Sequence, residues 1–369
     1  MSKDDLQSLR GEIDQIDQQI QRLINERAGC AKRVADVKLA SVDTTAEAPL
    51  FYRPEREAQV LRKVMERNEG PLDGREVAHI FREIMSACLA LEQPMEIAYL
   101  GPQGTFTQAA ALKHFGHSVM TRPFANIAEV FEAVERKNCH YGVVPVENST
   151  EGMVTHTLDN FINSPLKICG ELELPIALNL LVKSAGVDGS ADTQITKICA
   201  HQQALAQSRH WLQQHYPKVE VQAVSSNGEA ARMASEDATI AAIAGDLAAE
   251  HYELSCLASN IQDYADNTTR FLVITHDEVE ASGEDKTSII VSTRNVPGAL
   301  FKLLAPLEAE GISLTRIETR PSRTENWAYV FFMEFQGHHQ DPAVKRVTDA
   351  IAEQSFFVKV LGSYPAAVI

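Results

Sequence analysis

From Leu6 onward the apolar residues Leu9, Ile13, Ile16, Ile20 and Leu23 recur at alternating steps of three and four, and the pattern carries on through Cys30, Val34 and Val37. A heptad seam of this kind specifies a helix that packs against another along its whole length. Ser2, with Asp5 three positions later, reads as the helix start. About 35 residues at 1.5 Å each make a rod about 52 Å long. A rod of that length cannot hide its seam within the short helical segment that carries it, so a partner subunit is expected. A small polar loop follows at 41–50, then helices over about 54–67 and 75–91 separated by the turn NEGPLDG. The first domain is placed at 1–93.

At Met95 the period changes. Short apolar strands (EIAYL, YGVVPV, ITKICA, ATIAAIA) alternate with amphipathic helices, the pattern of an α/β sheet, and this domain is placed at 94–275. The polar, acidic stretch HDEVEASGEDK at 276–286 reads as a linker. Beyond it, at 287–369, strands and helices follow in the order β-α-β-β-α-β, which predicts a small ferredoxin-like α+β sandwich.

Composition narrows the partners. With 34 basic and 50 acidic side chains the formal charge is −16, which opposes nucleic-acid phosphates and anionic lipid. No apolar run reaches the ~18 residues of a membrane span. The N-terminus MSKDDLQSLRGEIDQ has no signal-peptide core. Six dispersed cysteines without a C-x-x-C pair suit a reduced, cytoplasmic setting and offer no zinc spacing. No phosphate-binding glycine loop and no H-E-x-x-H occurs, so no cofactor and no metal is expected.

Several charges fall where the helical pattern wants apolar residues. Arg27 stands on the seam, and Lys38, 11 residues on, shares its face about 16 Å away. Arg10 lies about 25 Å from Arg27 and about 100° around the helix, so only crossed helices of two subunits would aim all three at one small ligand. The bland alternative is an internal Arg–Glu bridge. On the third helix Phe81, Ile84, Cys88 and Glu92 form the expected apolar stripe, which puts a carboxyl on a buried face. Together Arg10, Arg27, Lys38, Arg56 and Glu92 would line a polar pocket within a helical bundle.

The helix LQSLRGEIDQIDQQIQRLINERAGCAKRVADVK resembles the first helix of the all-α chorismate mutases, which are intertwined dimers. The resemblance implies that Arg10 of one subunit, with Arg27, Lys38 and Arg56 of the other, holds the two carboxylates of chorismate, and that Glu57 meets the substrate hydroxyl. Arg53, Cys88 and Glu92 stand where the best-known bacterial members often carry Asp, Ser and Gln. An ionised Glu92 only accepts hydrogen bonds, so it must be protonated to donate to the ether oxygen. That predicts mutase activity falling as pH rises.

In the middle domain, EIAYL runs into GPQGTFTQAA, where Thr105 or Thr107 caps a helix start, a general anion site. Strand GVVPV ends in Glu147-Asn148-Ser149-Thr150-Glu151-Gly152, polar residues at a carboxyl end where α/β sheets bind ligands. A capped loop explains them equally well. His201 and Gln203 follow another strand, and Asp266-Asn267-Thr268-Thr269-Arg270-Phe271 leads into FLVIT. In this order the strings resemble prephenate dehydratase. The implied fold is a two-lobed, periplasmic-binding-like α/β domain with the substrate between its lobes. The resemblance gives Thr269 the role of proton donor to the departing hydroxyl, and substrate contacts to Thr105, Glu147, Asn148, Ser149, His201, Gln203, Arg270 and Phe271. Arg270 reads either as a carboxylate clamp, the favoured reading, or as a structural ion pair. Gln202 replaces the usual Pro.

In the last domain Asn295-Val296-Pro297-Gly298-Ala299-Leu300 and Ile317-Glu318-Thr319-Arg320-Pro321 resemble the ligand-facing motifs of ACT domains, and VLGSYP at 360–365 matches as well. The resemblance implies an L-phenylalanine site built from Asn295, Gly298, Ala299, Leu300, Glu318, Thr319, Arg320 and Pro321. The whole chain thus resembles bifunctional chorismate mutase/prephenate dehydratases. Chorismate and prephenate are the expected substrates and L-phenylalanine the effector, in a homodimer with a tetramer left open. Two rivals are a dehydratase with a degenerate mutase-like domain and a non-catalytic amino-acid sensor.

Overall fold

The computed structural model describes residues 3–40, 51–183, 195–264, 266–293, 296–321 and 329–369. The expected loop at 41–50, the start at Ser2 and Asn295 lie outside the described residues. Two compact units are distinguished: Met1–Arg53, Leu61–Met95 and Phe115–Met120 form one, and Pro54–Val60, Glu96–His114 and Thr121–Ile369 the other. No described helix is long and apolar enough to cross a membrane.

The first helix, α1, runs over Lys3–Ala40 as one uninterrupted element. Its seam residues Leu6, Leu9, Ile13, Ile16, Ile20 and Leu23 are 46–56% exposed within the single chain. Helix α2 (Pro54–Glu66) begins at a proline with Glu55 and Glu57 in its first turn, where the helix dipole favours carboxylates. Helix α3 (Gly74–Ala90) starts at Asp73, whose side chain accepts the Arg75 N–H at 2.8 Å. Its buried face differs from the expected stripe. Ala78, Arg82, Ser86 and Cys88 are buried, whereas Phe81 and Ile84 are only half-buried. The reason is the 115–120 segment, which belongs to the same unit: the Ser118 N–H donates to Ser86 Oγ at 3.3 Å, and a Cβ on Gly116 would fall 2.5 Å from that of Ser86.

The second unit contains two α/β lobes and an antiparallel sandwich. Lobe one comprises β1 (Glu96–Leu100), α4 (Phe106–Phe115), β2 (Met120–Phe124), α5 (Ile127–Glu135), β3 (Tyr141–Asn148), β4 (Gly152–Met153), α6 (Thr155–Asn163) and β5 (Lys167–Pro175). Lobe two comprises β6 (Asn179–Lys183), β7 (Lys197–His201), α7 (Gln202–Gln207), α8 (Arg209–His215), β8 (Glu220–Val224), α9 (Asn227–Glu236), β9 (Ile240–Ala244), α10 (Asp246–His251) and β10 (Leu254–Ala258). The chain then returns as β11 (Thr268–Thr275), inserted between β3 and β5, so the sheets run β2-β1-β3-β11-β5 and β10-β6-β9-β7-β8. The two crossings are tied to each other: Ile176 N–H donates to Asn267 O at 2.8 Å and Ile261 N–H to Leu178 O at 2.8 Å.

The sandwich is β12 (Asp285–Thr293), α11 (Ala299–Ala309), β13 (Leu314–Pro321), β14 (Tyr329–Gln336), α12 (Pro342–Glu353) and β15 (Phe357–Pro365), ordered β13-β14-β12-β15. Its strands alternate between two apolar environments. Ile289, Val291, Phe331, Met333 and Phe335 pack with the helices, while Ile290, Val330, Phe332, Leu361 and Tyr364 join the core of lobe one. With both faces buried, these strands read as continuous apolar runs. Lys359 reinforces the join by donating to the carbonyls of Phe161, Ile162 and Ser164, at the carboxyl end of α6. The stretch at 276–286 is not a plain linker. Ser282 and Gly283 N–H groups donate to the Asp285 carboxylate, β12 begins at Asp285, and Lys286 pairs with Glu171.

Candidate active sites

In the helical unit Arg27 and Lys38 are half-buried on α1, as their shared face predicts, and both charges act on Glu92. Glu92 sits beyond the end of α3, its N–H donating to Leu89 O at 2.9 Å. Burial lifts its carboxyl above the ordinary range, and the attraction of Lys38 and then Arg27 only partly offsets that lift. The Lys38 ammonium also stands 5.4 Å from the centre of the Phe51 ring. Cys88 is buried. Arg10 is exposed, more than four helical turns from Arg27. Arg56, exposed, and Glu57, half-buried, lie in the first turn of α2, which falls in the second unit.

Between the two lobes of the second unit is a cleft of about 140 Å³, lined by Phe106, Thr107, Pro145, Asn148, Ile176, Leu178, His201, Gln203, Ala204, Gln207, Asn227, Thr269 and Phe271. The strand ends predicted to carry ligands meet here. Asn148 ends β3 and pairs in register with Thr269 of β11. Asn148 Nδ2 donates to Thr269 Oγ1 at 2.8 Å and to Asn267 Oδ1 at 2.9 Å. Its Oδ1 accepts the N–H groups of Thr150 and Glu151. Backbone N–H groups only donate, so this pattern fixes which end of the amide faces Thr269. Across the cleft His201 caps α7, its ring accepting the Gln203 N–H at 3.4 Å, while the His201 backbone N–H donates to Asn227 Oδ1 at 2.8 Å.

Three residues expected at the substrate lie elsewhere. Thr105 does not line the cleft; its hydroxyl donates back to Leu100 O, and Gln108 rather than a threonine satisfies the Gly104 N–H. Thr107, buried, takes the lining position. Ser149 staples the loop, accepting the Thr268 N–H and donating to Asp266 O. Glu147 pairs with Arg316 of β13.

Arg270 also faces away from the cleft. Alternation along β11 gives Thr269 and Phe271 to the cleft and turns the 4% exposed Arg270 to the other side. There Nε and Nη2 bond Glu171 Oε2 at 2.8 and 2.6 Å, and Nη2 bonds Glu334 Oε2 of β14 at 2.8 Å. Lys286 Nζ holds the other Glu171 oxygen at 2.6 Å. Burial pushes the Glu171 carboxyl up, but Arg270 and Lys286 more than offset this and hold it below the usual carboxylate range. This matches the structural ion pair, the second of the two readings left open above, and not a carboxylate clamp.

Gln207, Asn227 and the apolar wall of Phe106, Ile176 and Leu178 were missed from sequence. Gln207 carried a signal, standing four residues after Gln203 on a helix and hence on the same face. In the sandwich Gly298 precedes α11 with φ +80° in open space, a backbone that asks for glycine. Ala299 is half-buried and Leu300 exposed at the start of that helix. On β13 Thr319 is exposed and Pro321 ends the strand, while Arg316, Glu318 and Arg320 share a face, Arg320 pairing with Asp159 of α6.

Residues 9–93 match the chorismate mutase type II family, 97–279 the prephenate dehydratase family and 287–353 the ACT domain. The chain is 57% identical over 366 residues to a bifunctional chorismate mutase/prephenate dehydratase of Stutzerimonas stutzeri, covering 99% of each. A protein of the same description from Pseudomonas aeruginosa is 56% identical over 100% of this chain and 99% of its own. Among solved structures, prephenate dehydratase from Arthrobacter aurescens in complex with L-Phe superposes with a TM-score of 0.67 at 33% identity, covering 73% of this chain and 90% of that one.

Proposed function

This chain belongs to the bifunctional chorismate mutase/prephenate dehydratase family, and from that premise we infer that it rearranges chorismate to prephenate, converts prephenate to phenylpyruvate, and is inhibited by L-phenylalanine. The Asn148–Thr269 pair in the interlobe cleft is the observation that carries the dehydratase assignment.

Loss of carboxylate as CO2 from prephenate pushes an electron pair towards the ring as hydroxide departs. Hydroxide is a poor leaving group, so a donor must reach it. A threonine hydroxyl has one proton and two lone pairs. Since Asn148 Nδ2 donates to Thr269 Oγ1, one lone pair is occupied and the proton stays available for the leaving oxygen. Gln203 and His201 stand across the cleft to orient the substrate, and Phe271 packs beneath it.

In the helical unit Arg27 and Lys38 bind carboxylate and a protonated Glu92 donates to the ether oxygen as it separates. The enzyme adds no covalent step; restraint and charge stabilisation do the work. Arg10 from a second subunit, with Arg56, Glu57 and Cys88, completes the set. The exposed seam of α1 supports a homodimer joined along that helix. Phenylalanine binds at the Gly298 turn and the Glu318–Pro321 strand end. The six cysteines, free thiols in this structure, favour a reducing compartment, the cytoplasm.

Prephenate supplied to the purified chain tests the cleft assignment. Phenylpyruvate should form and phenylalanine should suppress it; no turnover would refute it. Placing a charge on the seam, as in Ile16→Glu, should dissociate the dimer and abolish mutase activity.

A further inference from the structure

The Asn148–Thr269 pair is held by a closed ring of side chains running in one direction. Asn148 Nδ2 donates to Asn267 Oδ1 at 2.9 Å, Asn267 Nδ2 to Gln207 Oε1 at 2.9 Å, and Gln207 Nε2 to Thr150 Oγ1 at 2.8 Å. The Thr150 hydroxyl closes the circuit on Asn148 Oδ1 at 2.6 Å. Each member donates once and accepts once within the ring, so no member turns without breaking two bonds. The sense of the circuit is set where Asn148 Oδ1 also accepts backbone N–H groups. Asn148 and Asn267 are buried, 7% and 2% exposed, so bonds lost there are not replaced by bulk water.

Gln207 is the member supplied by lobe two. Asn148 and Thr150 belong to the β3 end of lobe one, and Asn267 to the returning crossing just before β11. The last residue of α7 is itself fixed from that crossing, because the Asp263 N–H donates to Gln207 O at 2.6 Å while the Asp263 carboxylate accepts the His210 and Trp211 N–H groups.

We propose that Gln207 is a positioning residue for the dehydratase reaction: from lobe two it closes the ring that holds the Asn148 amide with its N–H towards Thr269, leaving the Thr269 proton for the leaving hydroxyl. The proposal deepens the dehydratase reading given above and rests on it. If the ring opens, Asn148 Oδ1 still accepts the Thr150 and Glu151 N–H groups, but Asn267 and the Thr150 hydroxyl no longer brace the amide. Its N–H then sits less squarely on Thr269, and the Thr269 hydroxyl is free to rotate its proton away from the leaving oxygen. Substrate binding and donor orientation are thereby coupled to the seating of α7 against lobe one.

The test uses the full chain with prephenate as substrate, and the mutase activity of the same preparation, whose proposed residues lie outside the cleft lining, reports that the chain remains folded. Gln207→Glu keeps the shape and the acceptor for Asn267 but, when ionised, has nothing to donate to Thr150. At pH 8 its kcat should fall roughly 10- to 100-fold with KM within about threefold. As pH drops through the carboxyl range the new side chain regains a proton, and activity relative to the parent should recover. Gln207→Ala should lose kcat without that recovery. Thr150→Val, at an exposed site that tolerates change, should cost the same as Gln207→Glu, and the two together little more than either alone. An unchanged kcat and pH profile in Gln207→Glu would overturn the proposal. So would a loss confined to KM, which makes Gln207 a substrate contact, or additive costs in the double variant. Failure of the parent chain to turn over prephenate would refute the dehydratase reading itself.

Discussion

Thr269 and Arg270 are consecutive on β11 yet serve opposite faces of its sheet: Thr269 accepts a hydrogen bond from Asn148 in the cleft, and Arg270 is buried between Glu171 and Glu334. One dipeptide therefore joins the proposed proton donor to the contact between lobe one and the sandwich. Its two residues predict different failures when replaced.

Arg270→Met should act on stability. It leaves Glu171 and Glu334 buried without their shared cation, and breaking a buried pair from one side costs about 3–5 kcal/mol. Thermal melting should show a strongly destabilised second unit, with KM for prephenate little changed in whatever folded protein remains. A rise in KM at unchanged melting temperature would restore the carboxylate-clamp reading.

Thr269→Val, nearly isosteric, removes the donor and should lower dehydratase kcat by about 10²- to 10⁴-fold. Thr269→Ser retains the hydroxyl and should recover most of it. Mutase activity, whose proposed residues all lie outside the cleft lining, should be unaffected by either change.

The mutase should lose activity as pH rises. Glu92 is lifted by burial and donates only when protonated, so the active form is depleted as pH climbs through its raised pKa. Glu92→Gln donates at every pH and should flatten the profile of kcat/KM between pH 5 and 8. Equal slopes for parent and variant would rule out this role.

Acid should loosen the join between lobe one and the sandwich. The folded Glu171 carboxyl sits below its unfolded value, because Arg270 and Lys286 overcome the burial that raises it. Such a group contributes stability above the ordinary carboxylate range and loses it as pH falls through the folded pKa. Glu171→Gln should therefore be less stable than the parent at pH 7, and the gap should narrow as pH is lowered through the carboxylate range.

Much of this was readable in the sequence. The three-four spacing from Leu6 to Val37 gave α1, and the β-α-β-β-α-β order gave a four-stranded sheet with both helices on one face. Asn148 and His201, at the carboxyl ends of apolar strands, converge on one cleft with Thr269, which stands at the start of β11. The misses are long-range. Arg270 finds its partners 99 and 64 residues away, and no local pattern names Glu171 or Glu334. Period-two alternation turns Arg270 and Thr269 to opposite faces, although both were expected at the substrate. Thr105, expected at the substrate by resemblance, instead donates its hydroxyl back across the turn to Leu100 O, while the Gln108 side chain accepts the Gly104 N–H. The acidic stretch at 276–286 looked like a spacer because the Asp285 turn and the Lys286–Glu171 pair are invisible without the fold.

The most direct test is to supply the purified chain with chorismate alone, with no metal or nucleotide, and follow chorismate loss and phenylpyruvate formation with and without L-phenylalanine. Both sites and the sensor predict phenylpyruvate accumulating from chorismate and suppressed by phenylalanine. Chorismate that persists while added prephenate is consumed would contradict the mutase assignment and leave the helical unit a structural or sensing domain.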